Sequence, residues 1–153
     1  MEPPADWERF TRTGFRLEFS YPAVTPTGQA VERAEEEVDD HRGHMERVHL
    51  SSPDRRELYV EVARFHGIAP EDEYRSHRTY LDQRFGSDAV TELTTTSLHE
   101  RPAQAYSFRW DEEGRPMERA VLMLPVAGDT YRVIYDPRSE LNEQVLSTIA
   151  IRE

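Results

Sequence analysis

Alternating apolar and polar residues predict a β-strand close to the start of the chain. In the segment "GFRLEFSYP", polar residues alternate with four apolar ones, Phe15, Leu17, Phe19 and Tyr21. A period of two places every second side chain on one face of a half-buried strand, and Pro22 ends the pattern. Residues 1–12 precede this strand. We expect them to form a loosely held lead-in, with Trp7 and Phe10 packed against a single domain over residues 13–153.

The segment 28–49 fits two different structures. Some of its residues recur at spacings of three and four, as in the buried stripe of an amphipathic helix: Val31, Ala34, Val38, His41, Met45 and Val48. It also fits a hairpin in which "AVERAEEEV" and "HMERVHL" are strands joined by the turn "DDHRG". Gly43 would destabilise a helix by about 1 kcal/mol, but it is favourable in a turn that needs a left-handed backbone. We therefore favour the hairpin over the helix.

The clearest helix in the sequence is "PEDEYRSHRTYLDQRFG", which spans residues 70–86. Pro70 suits the first helical position, and the three acidic residues after it complement the positive end of the helix dipole. One face of this helix carries three apolar side chains, Tyr74, Leu81 and Phe85. Gly86 then favours the end of the helix.

Four strand-like segments and a second helix follow. The strands span residues 89–98 and the segments "AQAYSFRW", "MERAVLMLPV" and "TYRVIYD". From about Pro137 onward, apolar residues four apart predict the final helix: Leu141, Val145 and Ile149. We therefore predict an α+β domain, a twisted antiparallel β-sheet with the mid-chain and C-terminal helices packed on it.

Composition excludes several classes of function. The 153 residues carry a formal net charge of −11, and all nineteen basic residues are arginine. Nucleic-acid phosphates and anionic lipids attract basic surfaces, so we expect neither nucleic acid nor a membrane as a partner. The absence of lysine excludes a Schiff-base lysine and a P-loop, and the absence of cysteine excludes disulfides and thiolate ligands. No signal peptide or membrane-spanning stretch is recognisable, so we expect the protein in the cytoplasm.

The segment "DDHRGHMERVH", residues 39–49, is the strongest candidate for a metal site. In the hairpin, His44, Glu46 and Val48 share one face of a strand, while His49 points to the other and His41 lies in the turn. Three histidines therefore do not converge at the distances that zinc requires. We expect no metal site and no cofactor. A weak two-ligand site remains as an alternative, formed by His41 and His44 with one carboxylate, Asp39 or Asp40.

No catalytic constellation stands out in the sequence. His77 lies on the apolar side of the mid-chain helix, where a histidine usually packs and bonds to a carbonyl rather than acting as a base. Tyr106, Phe108 and Trp110 share one face of a strand and are predicted to be core. No G-x-S-x-G turn is present, and the chain is expected not to be an enzyme.

The densest charge run is acidic, Glu35, Glu36 and Glu37 followed by Asp39 and Asp40. It fits an edge strand whose charges discourage aggregation, and it also fits a patch that attracts a basic partner. We favour the edge strand, although the two interpretations are compatible.

The order of these elements resembles a known fold. The segments "RPAQAYSFRW" and "GDTYRVIYD", the latter with Gly128 and Tyr131, are similar to strands of the Mog1/PsbP-like family, and the resemblance spans residues 13–151. The segment "AVTPTG" after Pro22 departs from the family, which usually has a tryptophan there. Members of this family include a regulator of a nuclear-transport GTPase, extrinsic photosystem II subunits and chaperones of type VI secretion effectors. They share no catalytic motif, so the resemblance assigns a role to no single residue.

The resemblance implies a non-catalytic binding module, an adaptor or chaperone-like domain whose partner is another protein. A second copy of the chain could also serve as that partner. The alternative function is small-ligand or metal binding in a cleft between the sheet and the helix at 70–86. A closed pocket with converging polar groups would favour this alternative.

Overall fold

Ten strands and two helices make up the part of the chain that the computed structural model describes, residues 2–40 and 43–152. In chain order the elements are β1 Glu8–Arg12, β2 Phe15–Tyr21, β3 Glu32–Asp40, β4 Gly43–Ser51, β5 Tyr59–Phe65, α1 Pro70–Phe85, β6 Thr94–Leu98, β7 Arg101–Glu112, β8 Arg115–Val126, β9 Asp129–Tyr135, α2 Glu140–Ser147 and β10 Ala150–Ile151. None of the described helices is long and apolar enough to cross a membrane.

The strands form two antiparallel sheets. The larger sheet has seven strands in the order β3-β4-β5-β9-β8-β7-β6, and the smaller has three in the order β1-β2-β10. Every pair of neighbouring strands is antiparallel. The predicted α+β class and antiparallel sheet are therefore confirmed.

The hairpin predicted for residues 28–49 is present. Strands β3 and β4 pair from Glu32 opposite Ser51 to Asp40 opposite Gly43. Gly43 has a φ of 130°, a conformation that other residues adopt at a cost. Strand β3 lies at the edge of the larger sheet, and its carboxylates form ion pairs with Arg12 and other arginines. The acidic run therefore lies on an edge strand, as predicted, while its role against aggregation stays a prediction.

The larger sheet buries apolar side chains on both faces, because a different layer covers each. On one face, even-numbered residues of β4 and β5 pack against the smaller sheet and α2; they include Val48, Leu50, Val60 and Val62. The other face packs against α1 through Tyr106, Phe108, Val121 and Met123. The alternation of side chains along each strand thus separates two cores. Residues that follow one another in β4 or β5 lie on opposite sides of the sheet.

Two boundaries differ from the sequence prediction. Helix α2 ends at Ser147 and not beyond Ile149, because residues 150–151 add a strand to the edge of β2. Ile149 is nevertheless buried in the core. Strand β6 begins at Thr94, since the segment before it makes only an isolated bridge between Val90 and the β7 strand.

The start of the chain also differs from the expectation of a loosely held lead-in. Residues 8–12 form strand β1, which pairs with β2 from Glu8 opposite Tyr21 to Arg12 opposite Phe15. Phe10 is 1% exposed, and its ring lies 4.9 Å from that of Phe19. The lead-in prediction was wrong for this stretch, because two-residue alternation is hard to recognise in only five residues. The expected packing of Phe10 is confirmed.

We predict that Phe10→Ala lowers the free energy of unfolding by about 3–5 kcal/mol, because it leaves a cavity between the two sheets. Glu2→Ala, an exposed change in the same terminal segment, should alter it by less than about 0.5 kcal/mol. Urea denaturation of both variants measures the difference. Equal stability of the two variants would show that β1 contributes nothing to the core.

Candidate functional site

Helix α1 covers only part of its face of the larger sheet. It packs on β7 and β8, while the neighbouring strands β4, β5 and β9 continue beyond it. The uncovered surface forms a cleft with a volume of about 760 Å³. Its walls come from α1, from the loop between β4 and β5, and from the β7–β8 turn. This is the place that the sequence analysis named for a ligand-binding cleft.

The position of α1 depends on a buried ion-pair network around Arg132. Its Nη1 lies 2.7 Å from Glu73 Oε1 in the first turn of α1, and its Nη2 lies 3.3 Å from Glu61 Oε1 on β5. Arg132 and Glu73 are 8% and 1% exposed, so solvent screens their interaction little. The guanidinium therefore fixes the N-terminal end of α1 to the centre of the sheet.

Arg119 forms the floor of the cleft together with two aromatic rings. Its guanidinium carbon lies 3.9 Å from the centre of the Tyr59 ring and 5.2 Å from that of Trp110. The Nη1 atom is 3.3 Å from Asp136 Oδ2, whereas the buried Nε finds no hydrogen-bond partner among the described residues. Burial lowers the pKa of Arg119 and raises that of Tyr59. The floor therefore holds a cation that is stacked against two aromatic rings.

Arginines outnumber carboxylates among the residues that line the cleft. Seven arginines line it: Arg47, Arg55, Arg56, Arg84, Arg115, Arg119 and Arg132. The carboxylates that line it number four: Asp54, Glu61, Glu112 and Glu113. The lining thus holds three more arginines than carboxylates, in a chain whose formal charge is −11. Three of these arginines, Arg47, Arg119 and Arg132, form ion pairs with carboxylates outside the lining. Five aromatic rings share these walls: Tyr59, Tyr80, Phe85, Phe108 and Trp110.

His77 of α1 and the aromatic residues of β7 lie beside this cleft. Tyr106 and Phe108 are buried as predicted, while the half-buried Trp110 reaches the cleft wall. His77 is half-buried, and its Nδ1 lies within hydrogen-bond distance of the Tyr106 hydroxyl at 2.5 Å, where a carbonyl partner was expected. None of the lining arginines was a candidate from the sequence. The alternation of apolar and polar residues along a strand does not show which arginines a helix leaves uncovered.

The structure describes one of the two histidines of the predicted two-ligand alternative, His44. His41 lies outside the described residues, so its pairing with His44 stays a prediction. His44 and Glu46 share a face of β4, as predicted, and His66 at the end of β5 joins them. Sequence reasoning missed His66, because its place beside His44 depends on the register between β4 and β5.

No protein-family model and no curated protein matches the sequence. Among solved structures, the cyanobacterial PsbP of Synechocystis sp. PCC 6803 superposes with a TM-score of 0.62, over 97% of this chain and 94% of that chain, at 12% sequence identity. The chain has a Mog1/PsbP-like fold. A protein from Bacteroides thetaiotaomicron VPI-5482 superposes with a TM-score of 0.58, also at 12% identity and over 97% of this chain. The chain spans about half the length of that protein, 49%. At such identities the likeness concerns the fold alone.

In this Mog1/PsbP-like fold, the Arg132 network predicts a large effect of one substitution. Glu73→Ala should lower the free energy of unfolding by about 3–5 kcal/mol, because it removes a carboxylate that binds the buried Arg132. Glu71→Ala, an exposed change in the same helical turn, should cost less than about 0.5 kcal/mol. Urea denaturation measures both, and similar losses for the two variants would contradict a special role of Glu73.

The environment of His49 should make the stability of the fold depend on pH. Its ring packs edge-on against the ring of Tyr59, with 4.7 Å between the ring centres. Burial lowers the pKa of His49, and its Nε2 has no hydrogen-bond partner among the described residues. The unfolded chain therefore binds a proton at this residue before the folded chain does. Stability should fall as the pH drops through the unfolded value of about 6.5.

The variant His49→Gln cannot take up this proton, so it should lose less stability than the wild type between about pH 7.5 and pH 5. Urea midpoints measured across that range give the difference between the two proteins. All other ionisable groups are the same in the two proteins, so their contributions cancel in this comparison. A difference that does not change with pH would show that His49 titrates alike in the folded and unfolded chain.

Proposed function

We propose that this chain is a binding module that holds a small anionic ligand with a flat apolar portion in the cleft beside α1. The observation that carries the proposal is the excess of arginines in the cleft of an acidic chain. On a surface with a net charge of −11, chance placement would favour carboxylates at any given site. A concentration of guanidinium groups in a concave site raises the local concentration of anions.

Several of these arginines are available to a ligand. Arg55, Arg56, Arg84 and Arg115 are exposed, and they form no ion pair with a carboxylate of the described residues. By contrast, the buried Arg132 is bound by two carboxylates. Arginine presents a planar fork of donors that matches carboxylate, sulfate and phosphate groups. The exposed arginines at the rim would therefore bind the anionic group of a ligand.

The aromatic rings favour a ligand that also has a flat apolar part. The rings of Phe85 and Trp110 are stacked at 5.1 Å, and those of Phe108 and Trp110 at 5.6 Å. The cleft volume of about 760 Å³ lies within the range typical of small-molecule sites. Together, rings and guanidinium groups can bind an aromatic acid more strongly than either an inorganic anion or a neutral ring.

A protein partner, the first expectation from the sequence, stays a prediction. The large exposed apolar side chains of the described residues lie in three separate places, the β2–β3 loop, β3 and α1: Val24, Val38 and Tyr80. Isolated side chains of this kind are common on proteins that bind no partner through them.

Titration with anilinonaphthalene sulfonate, a dye that joins a sulfonate to flat rings, tests the proposal. The dye should bind with one site per chain, and excitation of Trp110 should transfer energy to it. Arg84→Glu and Arg55→Glu change opposite rims of the cleft and should each weaken binding about fivefold, equivalent to ~1 kcal/mol. Trp110→Phe should remove most of the energy transfer, because the remaining tryptophan, Trp7, does not line the cleft.

Arg75→Glu is the matched control, because it makes the same charge change on an exposed position of α1 outside the cleft. It should leave the dye affinity unchanged. Phenylnaphthylamine, a similar dye without the sulfonate, should bind more weakly than the charged dye and respond little to any of these substitutions. Equal affinity of the two dyes, or equal effects of Arg75→Glu and Arg84→Glu, would overturn the proposal.

A further inference from the structure

We infer that His44, Glu46 and His66 form a three-ligand site for a divalent transition-metal ion of the Zn²⁺ class. One potential ligand atom from each residue lies within 4.8 Å of the other two. The cluster lies on the face of the larger sheet opposite the arginine cleft, because even- and odd-numbered residues of β4 point to different sides. It is therefore a second site, independent of the proposed ligand site.

The sheet brings the three residues together by simple strand geometry. His44 and Glu46 are two residues apart on β4 and so point to the same face. His66 directly follows the neighbouring strand β5 and lies beside His44, where its backbone N–H donates to the carbonyl of His44 at 3.2 Å. The two imidazole rings are 5.4 Å apart between centres. A His-x-Glu pair and a cross-strand histidine thus converge on one point.

The distances between the ligand atoms suit tetrahedral coordination once the three side chains move slightly closer together. Zinc lies about 2.0–2.1 Å from imidazole nitrogens and carboxylate oxygens, which places ligand atoms about 3.3 Å apart in a tetrahedron. His44 Nε2 is already 3.6 Å from Glu46 Oε1. All three side chains are half-buried at the margin of the sheet, so side-chain rotations can close the remaining distance. Two imidazoles and one carboxylate leave the fourth position to water.

A carboxylate behind His44 orients it as a ligand. Asp39, directly opposite on β3, lies 2.8 Å from His44 Nδ1. A hydrogen bond from Nδ1–H to this carboxylate leaves the Nε2 lone pair directed toward Glu46. The same arrangement of carboxylate, histidine and metal orients imidazole ligands in many zinc proteins. The edge strand β3 therefore supplies the outer partner of the site.

Two arginines compete with a metal ion for these ligands. Arg64 Nη1 lies 3.4 Å from Glu46 Oε2, and its Nη2 lies 3.3 Å from His66 Nδ1. Arg12 Nη2 lies 3.9 Å from Glu46 Oε1. A bound cation must displace these contacts and overcome the repulsion of two guanidinium groups. We expect removal of a competing arginine to tighten metal binding, which is a specific consequence of this geometry.

Isothermal titration of the chelator-treated full chain with Zn²⁺ tests the inference. The wild type should bind one ion per chain, and His44→Gln, His66→Gln and Glu46→Gln should each weaken binding at least tenfold. Arg12→Gln should strengthen binding severalfold. Far-ultraviolet circular dichroism and thermal unfolding without metal show whether each variant is folded, and the rise in midpoint with added Zn²⁺ gives a second readout of binding.

Two matched controls separate this site from other histidines of the chain. His99→Gln changes a residue whose Nε2 lies near the Leu146 carbonyl, away from the cluster, and should have no effect. His41→Gln should also leave the affinity unchanged. Loss of binding in His41→Gln together with wild-type affinity in His66→Gln would overturn the inference in favour of the hairpin turn. Absence of any zinc binding by the folded wild type would overturn it outright.

Discussion

A buried arginine between two layers of the molecule determines where helix α1 lies. Arg132 on the central strand β9 binds Glu61 on β5 and Glu73 in the first turn of the helix. The apolar stripe of α1 is short, with Tyr74 and Leu81 as its buried apolar residues. Burial of two apolar side chains alone would orient a helix of 16 residues poorly. The ion pair adds a fixed polar contact at one end, and the rest of α1 packs on β7 and β8.

The cleft follows from this placement. Because α1 lies over the β7 and β8 strands, the same face of β4 and β5 remains uncovered beside it. Uncovered strand positions need not be apolar, and they carry residues such as Arg47 and Glu61. The aromatic residues of β7 lie partly under the helix and partly in the cleft wall. A core and a candidate binding surface thus share one row of side chains.

The opposite face shows how a second site can arise without any cleft. The hairpin of β3 and β4 extends along the edge of the sheet, and its polar residues there are held by cross-strand pairs. Asp39 on β3, His44 on β4 and His66 directly after β5 occupy neighbouring positions. Such a row is rigid because backbone hydrogen bonds fix each strand relative to the next. Rigid spacing is what a metal site requires of its ligands.

Local sequence patterns by themselves determined the strands, the long helix and the β3–β4 hairpin. The alternation from Phe15 to Tyr21 and the turn glycine Gly43 are properties of adjacent residues, and each constrains the backbone directly. The short strand β1 and the early end of α2 were not predictable in this way, because both depend on pairing with β2. The fold class could therefore be predicted from the sequence, whereas strand β1 and the end of helix α2 could not.

Only the tertiary structure decided which chemical groups meet. His44 and His66 are separated by a loop whose length sets their register, and no local pattern shows that they are neighbours. The lining arginines are ordinary charged residues in the sequence, and the pairing of the strands together with the position of α1 brings them into one cleft. Periodicity specifies which face of an element a side chain occupies. The packing of distant elements specifies what that face meets, because it depends on the burial of the whole core.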